Sequence, residues 1–473
     1  MLYLLKPLLP FLLLLATATG FSQQNQYVGD WQGKLELGPG LRIVFHIREA
    51  GGKLSATADS PDQGARGLKC DTVYVNNDGL HVELRSARAA FVGKLVNDSV
   101  IEGTFTQGMP VQLILTRGSG NSSSKRPQDP ISPLPYRAEE LVFSSPATTL
   151  KYGATLTIPP GKGPFPAVVL ITGSGQQNRD EEMMGHRPFA VLADGLTRNG
   201  IIVMRVDDRG IGGSTGDFTK STSEDFAADV SACVDYLAKR PEVKKSAIGL
   251  IGHSEGGMIA PIVASKRKDL GFVVLLAAPG IPISQLMAEQ TAAILRSSGV
   301  GDSAVKAYIP FYNQFMKTLT SGEDSLAAVT GARQYMDNWA SVTDSSVLRQ
   351  LQLNSPMARL QMLNTLVSVG RNPWFRYFMA FEPGPYLSKM KMKVLALNGD
   401  RDIQVVAESN MKGIRDAFAA GGNKGTTTLI LPGLNHLFQT CTKCTVPEYG
   451  ELQETFSPIA MKEINEWINR NVK

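Results

Sequence analysis

Residues 248–257 read IGLIGHSEGG, and this stretch decides the fold. Ile248–Ile251 is apolar, as a buried strand requires, and the residues after Gly257 have the composition of a helix. The pattern G-x-S-x-G lies between them, centred on Ser254, where a strand must reverse sharply into a helix. Side chains at Gly252 and Gly256 would collide with neighbouring backbone. The turn therefore lifts the Ser254 hydroxyl out of the sheet, and the following helix points its free N–H groups at any developing negative charge.

Apolar runs alternate with helical patterns on both sides of this turn. The runs are nearly continuous in Val, Ile and Leu, which is typical of strands buried on both faces of a sheet. Leu141–Phe143 and Ala154–Ile158 begin the series as a predicted hairpin, and Ser223–Arg240 has the apolar spacing of a helix. The alternation predicts an α/β fold with a mostly parallel sheet. The other predicted strands are Ala167–Ile171, Ile201–Arg205, Phe272–Leu276, Lys393–Leu397 and Thr427–Leu431.

Residues 281–390 interrupt this alternation. They contain no convincing buried strand and are rich in Leu, Met, Gln, Ala and aromatic residues. We interpret them as a helical cap over one end of the sheet, whose apolar side chains would form a substrate pocket. The aromatic residues are Tyr308, Phe311, Phe315, Trp339, Trp374, Phe375, Tyr377 and Phe378.

The N-terminal third has a different character. Residues 1–22 carry one cation, an apolar run and then small residues, which predicts a secretory signal peptide and export to the periplasm or the medium. Residues 25–118 alternate polar and apolar residues between turn signals, which predicts a small antiparallel β-domain closing into a barrel or sandwich. Residues 119–135 are rich in Gly, Ser and Pro and indicate a linker, so the α/β domain is expected to span 136–473.

Composition excludes several classes of protein. The chain has 473 residues, of which 43% are hydrophobic, so it is not disordered as a whole. Its formal net charge of +5 is spread without a dense basic stripe, so no nucleic-acid partner is expected. No segment after residue 22 is apolar enough to predict stable membrane insertion. Cys441 and Cys444 form a lone C-x-x-C without a second pair of zinc ligands, so we expect no metal and either a loop disulfide or two free thiols.

A serine needs a base to take its proton, and the chain has five histidines. His46 and His81 lie in the β-domain, His186 lies in an early loop, and the backbone at His253 directs its ring away from its neighbour's hydroxyl. His436 remains, just after the last predicted strand.

An acid must hold the tautomer of His436, and Asp402, or less favourably Asp400, follows the preceding strand. The predicted triad is therefore Ser254, Asp402 and His436, which needs no cofactor.

Acyl transfer also creates an oxyanion that needs two N–H donors. One should be the backbone N–H of Glu255, directly after the serine. The other should come from the glycine-rich loop after Ile171, with Ser174 favoured and Gly175 as the alternative. A phosphate-binding role for this loop is disfavoured, because neither nucleotide-binding glycine pattern is completed here. Asp207–Gly213 is interpreted as a structural loop braced by Asp–Arg pairs.

Taken together, residues from about Tyr136 to Lys473 resemble the α/β-hydrolase family, with its nucleophile at Ser254, its acid at Asp402, its base at His436 and its oxyanion donors at Ser174 and Glu255. The loops around these residues resemble those of exported bacterial carboxylesterases with an extra N-terminal domain, and of prolyl-oligopeptidase and serine-aminopeptidase types. Thr172-Gly173 departs from the His-Gly of many members, which changes the bracing of the loop but leaves its N–H donors.

The resemblance implies a secreted serine hydrolase that cleaves carboxylic esters of small molecules through an acyl-enzyme. A serine peptidase on the same triad is the alternative, and it would need carboxylates that anchor a peptide terminus. A binding module with an inert hydrolase domain is the third hypothesis. The sequence leaves the oligomeric state open. The candidate anchoring carboxylates are Glu323, Asp324, Asp337 and Asp344.

Overall fold

The computed structural model describes residues 25–35, 41–60, 65–107, 109–118, 126–322 and 325–472. The predicted signal peptide, Glu323 and Asp324, and the first part of the predicted linker lie outside these residues. The chain divides into two compact units. Of the described residues, one unit holds those up to Gly118 together with Met183–His186, and the other holds those from Arg126 onward except Met183–His186. Among the described helices, none has both the length and the apolar character needed to cross a bilayer.

The first unit is a nine-stranded antiparallel sheet with the order β4-β3-β2-β1-β9-β8-β7-β6-β5. Its inward side chains form one apolar core that includes Trp31, Phe45 and Phe91. The strands are β1 (Gly29–Leu35), β2 (Leu41–Ala50), β3 (Lys53–Ser60), β4 (Ala65–Lys69), β5 (Thr72–Asn76), β6 (Gly79–Leu84), β7 (Ala89–Asn97), β8 (Val100–Gln107) and β9 (Met109–Arg117), with a 3₁₀ turn at Arg85–Ala87.

This sheet is strongly curled. Three strands separate β2 from β7, so in a flat sheet their residues would lie about 19 Å apart at the usual strand spacing. The rings of Phe45 on β2 and Phe91 on β7 are instead 5.6 Å apart between centroids. The sequence predicted either a barrel or a sandwich. The first unit is one curled sheet, a half-barrel, and not a sandwich of two sheets.

The second unit contains an eight-stranded mixed sheet with the order β10-β11-β13-β12-β14-β15-β16-β17. The predicted hairpin is β10 and β11, which pair antiparallel, whereas β12 to β17 pair in parallel. The strands are β10 (Arg137–Ser144), β11 (Lys151–Ile158), β12 (Phe165–Ile171), β13 (Ile202–Val206), β14 (Val243–His253), β15 (Phe272–Leu276), β16 (Lys393–Gly399) and β17 (Thr426–Leu431). The last strand differs from the expectation of burial on both faces, because it is the edge of the sheet and Ile430 is exposed.

Helices cover both faces of this sheet. Between the strands lie α1 (Pro188–Arg198), α2 (Ser223–Leu237), α3 (Gly256–Lys266) and α11 (Ala407–Gly421), with a 3₁₀ turn at Phe218–Lys220. After the last strand come a 3₁₀ turn at Val446–Gly450 and α12 (Pro458–Asn471). The predicted cap between β15 and β16 is helical. Its helices are α4 (Ile283–Ser297), α5 (Asp302–Thr320), α6 (Ser325–Val342), α7 (Ser345–Gln350), α8 (Pro356–Gly370), α9 (Pro373–Met379) and α10 (Gly384–Leu387).

The predicted linker is partly built into the second unit. Arg126 donates hydrogen bonds of 2.8 Å to the carbonyl oxygens of Leu452 and Gly450. Gln128 donates to the carbonyl oxygen of Phe456 at 2.7 Å, and Asp129 pairs with Arg187. These contacts are made by side chains in a sequence that is otherwise typical of loops. By its contacts, the stretch from Arg126 onward belongs to the second unit.

Candidate active site

Ser254 lies on a sharp turn between β14 and α3. Its backbone φ is +52°, in the left-handed region that non-glycine residues seldom adopt. A Cβ atom on Gly252 would lie 2.1 Å from the carbonyl oxygen of Gly256, and one on Gly256 would lie 2.1 Å from the carbonyl oxygen of Ile171. Because both atoms are backbone, neither glycine can be replaced without moving the chain. The turn predicted from G-x-S-x-G is therefore present.

His436 and Asp402 are in contact at the carboxyl ends of neighbouring strands. Nδ1 of His436 lies 2.8 Å from Oδ2 of Asp402, and both side chains are buried. The other oxygen of Asp402 accepts from the backbone N–H groups of Gln404 and Val405 at 2.8 and 2.9 Å. Asp400 instead accepts from the N–H of Gly433 at 2.7 Å. The structure thus brings His436 to Asp402 and gives Asp400 a turn-stabilising position.

A second histidine connects this pair to the turn. Nδ1 of His253 lies 2.9 Å from Oε1 of Glu181, and Nε2 lies 3.0 Å from the backbone oxygen of His436. The rings of His253 and His436 are 4.9 Å apart between centroids. His436 is therefore held against the residue that directly precedes Ser254. Sequence reasoning missed Glu181, because nothing in the run Asp180–Glu182 distinguishes it from surface carboxylates.

The glycine-rich loop after β12 runs beside Ser254. A Cβ atom on Gly173 would lie 3.3 Å from the Cβ of Ser254. The N–H of Gly173 is used, since it donates to Oε1 of Glu181 at 2.7 Å. Within the described ranges, no hydrogen-bond acceptor faces the backbone N–H of Ser174, Gly175 or Glu255. The predicted oxyanion donors are thus free, and the choice between Ser174 and Gly175 stays open.

The Asp207–Gly213 loop is braced by ion pairs, as expected. Arg179 donates from Nε to Oδ1 of Asp207 at 3.0 Å and from Nη2 to Oδ2 at 2.6 Å. Arg209 also donates two hydrogen bonds to one carboxylate, from Nε to Oδ2 of Asp229 at 2.6 Å and from Nη2 to Oδ1 at 2.9 Å. Burial opposes ionisation of Asp207, but the hydrogen bonds from Arg179 and from backbone N–H groups outweigh it and lower its pKa.

Asp208 connects this loop to the one beside Ser254. It accepts from the N–H of Gln177 at 2.7 Å and from the hydroxyl of Thr172 at 3.0 Å. Burial raises the pKa of Asp208 well above its usual range. Thr172, which stands where many hydrolases have His, therefore anchors the glycine-rich loop through a hydroxyl.

The cap meets the turn at the side chain of Glu255. Its Oε1 atom accepts from the hydroxyl of Ser223 at 2.6 Å and from Nε1 of Trp374, on cap helix α9, at 2.7 Å. Burial raises the pKa of Glu255, although both hydrogen bonds act against the rise. One buried carboxyl group therefore contacts α2, the cap and the turn after β14.

Most of the cap's aromatic rings pack against one another. Phe311 contacts Tyr308, Phe315, Tyr335 and Trp339, with ring centroids 4.2 to 5.6 Å apart. These rings belong to the apolar interior of the cap. A groove of about 800 Å³ lies between α4, α5 and α9, and its apolar lining includes Ala288, Ala292, Val305, Ile309, Met316 and Met379. Its lining includes none of the predicted triad residues.

The two cysteines after His436 form a disulfide. Of the two states that the sequence left open, the structure has the bonded one. Cys441, Cys444 and Glu448 are the one cluster of possible metal ligands among the described residues. Bonded sulfur atoms are not thiolates, and Glu448 instead accepts from the N–H groups of Thr442, Lys443 and Cys444.

Comparison with known proteins agrees with this architecture. Residues 186–361 match a family model described as Hydrolase_4, serine aminopeptidase, S33. The second unit therefore has the α/β-hydrolase fold, and over these residues it is similar to that family. Esterase EstD of Thermotoga maritima is 37% identical to the chain over 135 residues, 28% of this chain and 32% of the esterase. Mouse mitochondrial acyl-coenzyme A thioesterase 2 is 31% identical over 125 residues, 26% of this chain and 24% of the thioesterase.

Each match therefore spans a third or less of the curated relative's length. Solved structures similar to the chain include Pyrococcus furiosus esterase Pf2001, with 14% identity, a TM-score of 0.42 and coverage of 72% of this chain and 92% of that one. Est1E from Butyrivibrio proteoclasticus with bound ferulic acid has 17% identity, a TM-score of 0.41 and coverage of 70% and 99%. A fold of this kind hosts many chemistries, so the activity of the hydrolase domain must be argued from its residues.

Proposed function

We propose that the protein is a serine hydrolase that cleaves carboxylic esters through Ser254, His436 and Asp402. The observation that carries this proposal is the 2.8 Å contact between His436 Nδ1 and Asp402. A carboxylate at Nδ1 keeps the proton of a neutral imidazole there, so Nε2 is free to accept one. His253 holds the backbone of the same histidine next to the Ser254 turn, and no described acceptor bonds to the backbone N–H of Ser174, Gly175 or Glu255, which supports their proposed role as donors.

The proposed reaction uses these groups as follows. The Oγ atom of Ser254 attacks the ester carbonyl carbon while Nε2 of His436 takes its proton, and the oxyanion accepts from the two open N–H groups. The tetrahedral intermediate collapses, the alkoxide leaves with the proton from His436, and an acyl-enzyme remains. Water then attacks the acyl carbon, His436 takes one proton from it and returns it to Ser254, and the carboxylic acid departs.

A direct test compares the wild type with Ser254→Ala. We expect p-nitrophenyl acetate turnover by the wild type and a loss of about 10³-fold or more in kcat for the variant. A fluorophosphonate probe should label the wild type at Ser254 and leave the variant unlabelled. Full turnover by Ser254→Ala would contradict the proposal, and a wild type that the probe does not label would favour the binding-module hypothesis.

Peptide hydrolysis is the second candidate, because the matching family model is described as a serine aminopeptidase. Two of the proposed anchoring carboxylates have other partners, since Asp344 accepts from the N–H of Ser346 and Asp337 pairs with Arg333. Parallel assays of acyl esters, acyl thioesters and aminoacyl arylamides would separate the activities. Higher kcat/KM on the arylamides would favour the peptidase.

Export is also a proposal, based on the composition of residues 1–22. The measurement is the N-terminal mass of the protein recovered from a bacterial expression host. A mature chain that starts just after the small residues Ala18, Thr19 and Gly20, recovered from the periplasm or the medium, is the expected result. An intact N-terminus in the cytoplasm would contradict it.

A further inference from the structure

A buried ion pair next to the predicted triad has no part in the reaction described above. Glu181 and His253 are 2% and 5% exposed, and their Oε1 and Nδ1 atoms are 2.9 Å apart. Burying an ion pair usually costs about as much as the pair gains, so stability alone is a weak reason for its presence.

With an ionised Glu181, the two contacts of His253 require one protonation state. A neutral imidazole carries one N–H, and its other nitrogen can only accept. Nδ1 of His253 faces a carboxylate oxygen, and Nε2 faces the backbone oxygen of His436 at 3.0 Å. Both of these partners are acceptors when Glu181 is ionised. Both hydrogen bonds therefore form together only when both nitrogens carry protons, that is, when His253 is the imidazolium.

The charged groups around His253 favour this state. Burial by itself would lower the pKa of His253, but the charge and hydrogen bond of Glu181, the hydrogen bond to His436 and the charge of Asp402 outweigh it, so the pKa is raised. The ring of His436 lies 4.9 Å away and the ring of Phe438 lies 6.4 Å away, between centroids. The charge of Glu181 also helps to raise the pKa of the buried Asp208 carboxyl group, after the larger effect of burial. The apolar side chains of Phe189, Leu276, Leu437 and Phe456 surround the pair.

The pair connects three segments whose relative positions the proposed reaction depends on: the Gly173 loop, the Ser254 turn and the His436 loop. Oε1 of Glu181 also accepts from the N–H of Gly173 at 2.7 Å, which anchors the loop that carries Ser174 and Gly175. His253 is covalently next to Ser254. Its Nε2 hydrogen bond holds the backbone of His436 itself.

We propose that Glu181 and His253 are positioning residues, a carboxylate–imidazolium pair that sets the main chain of His436 and the Gly173 loop relative to Ser254. This proposal rests on the serine hydrolase function proposed above. Misplacement of a catalytic group by about 1 Å can cost about 10²-fold in rate, so the pair acts on kcat although it touches no substrate.

Two substitutions at one position separate the two hydrogen bonds. The amide nitrogen of a glutamine can replace Nε2, and that of an asparagine can replace Nδ1. We expect His253→Gln to retain the bond to His436 and to stay within about 10-fold of wild-type kcat on p-nitrophenyl acetate. His253→Asn loses that bond and should fall by about 10²-fold, with KM changed less than about 3-fold.

A third variant tests the charge. A histidine with a raised pKa in the folded state contributes its hydrogen bonds below that pKa and loses them as the pH rises through it. Glu181→Gln removes the main group that raises the pKa of His253. The alkaline decline of kcat should therefore begin at lower pH in Glu181→Gln than in the wild type. A purely structural role would lower Tm without moving this decline.

The first unit offers a matched control. His46 also lies between two carboxylates, with Nδ1 2.9 Å from Asp30 and Nε2 3.0 Å from Asp59. His46→Gln should lower stability and leave both kcat and its pH profile unchanged. If kcat followed Tm alone across all four variants, or if His253→Asn matched the wild type, the positioning role would be overturned.

A spectroscopic measurement separates this proposal from the proposed function. In Ser254→Ala with ¹⁵N-labelled histidine, the ring of His253 should show two protonated nitrogens at pH 7, whether or not the wild type hydrolyses esters. A single protonated nitrogen would overturn the proposal. Two protonated nitrogens in a protein that turned over no ester would support the ion pair and refute the hydrolase.

Discussion

Nε1 of Trp374 donates a 2.7 Å hydrogen bond to Oε1 of Glu255, which joins the cap to the residue directly after Ser254. Ser223 on α2 donates to the same oxygen. Because the backbone N–H of Glu255 is a proposed oxyanion donor, the cap is attached next to the reacting atoms. Any movement of α9 must therefore break this bond or pull on the turn.

Trp374→Phe keeps the ring and removes this donor. Removing one partner of a buried hydrogen bond costs about 1–3 kcal/mol, so we expect the free energy of unfolding to fall by an amount in that range. KM for bulky esters should change more than KM for p-nitrophenyl acetate, because the cap is less firmly held. Urea denaturation and steady-state kinetics measure these effects.

Tyr377→Phe is the matched control, since it removes a 3.1 Å donor on the same helix to the more exposed Glu224. The free energy of unfolding should fall by less than about 1 kcal/mol in Tyr377→Phe, as it does when other exposed polar contacts are removed. Equal losses in the two variants would contradict a special role for Trp374.

Glu255→Gln should make the protein more stable at alkaline pH. The pKa of Glu255 is raised by burial, so the folded state binds more protons than the unfolded state at pH values above the ordinary glutamate pKa of 4.5. Stability therefore falls as the pH rises through that window, and a neutral glutamine removes this dependence. Unfolding free energies measured from pH 5 to pH 9 should decline in the wild type more steeply than in the variant.

Glu255→Gln should also retain ester hydrolysis, since the reaction uses only the backbone N–H of this residue. A loss of kcat by 10²-fold or more, of the size seen on removal of an oxyanion donor, would show that the side chain itself is required.

Asp402→Asn and Asp400→Asn should differ sharply. Asp402 holds Nδ1 of His436, and an asparagine there can stabilise the wrong tautomer, which costs about 10⁴-fold in the well-studied serine protease example. Asp400 contacts the N–H of Gly433, so Asp400→Asn should keep kcat within about 3-fold of the wild type. Comparable kcat values for the two variants on p-nitrophenyl acetate would remove Asp402 from the proposed triad.

Gly252→Ala and Gly256→Ala should fail to fold or unfold at much lower temperature. Each added methyl group would lie 2.1 Å from a backbone oxygen, and relief requires movement of β12, β14 or α3. Gly384→Ala is the control, because no atom lies within 4 Å of the Cβ position and the backbone is not left-handed there. Soluble yield and Tm are the measurements, and a wild-type Tm in Gly252→Ala would contradict the steric argument.

The turn around Ser254, the alternation of strands and helices, and the chain order of the proposed serine, acid and histidine could all be predicted from the amino-acid sequence. These features depend on local spacing, because a strand, a sharp turn and a helix are encoded by residues a few positions apart. The helical cap followed from the same patterns. The curling of the N-terminal sheet did not, because Phe45 and Phe91 meet only through the twist of several strands.

Two features came from the three-dimensional fold alone: which carboxylate faces His436, and which groups His253 contacts. Asp400 and Asp402 are two residues apart, and the path of the chain after β16 turns one toward the histidine and the other toward Gly433. The pairing of His253 with Glu181 joins residues 72 positions apart, and its bond to His436 spans 183 positions. Such contacts leave no periodic signal in the chain, since they arise when loops from separate strands converge at one edge of the sheet.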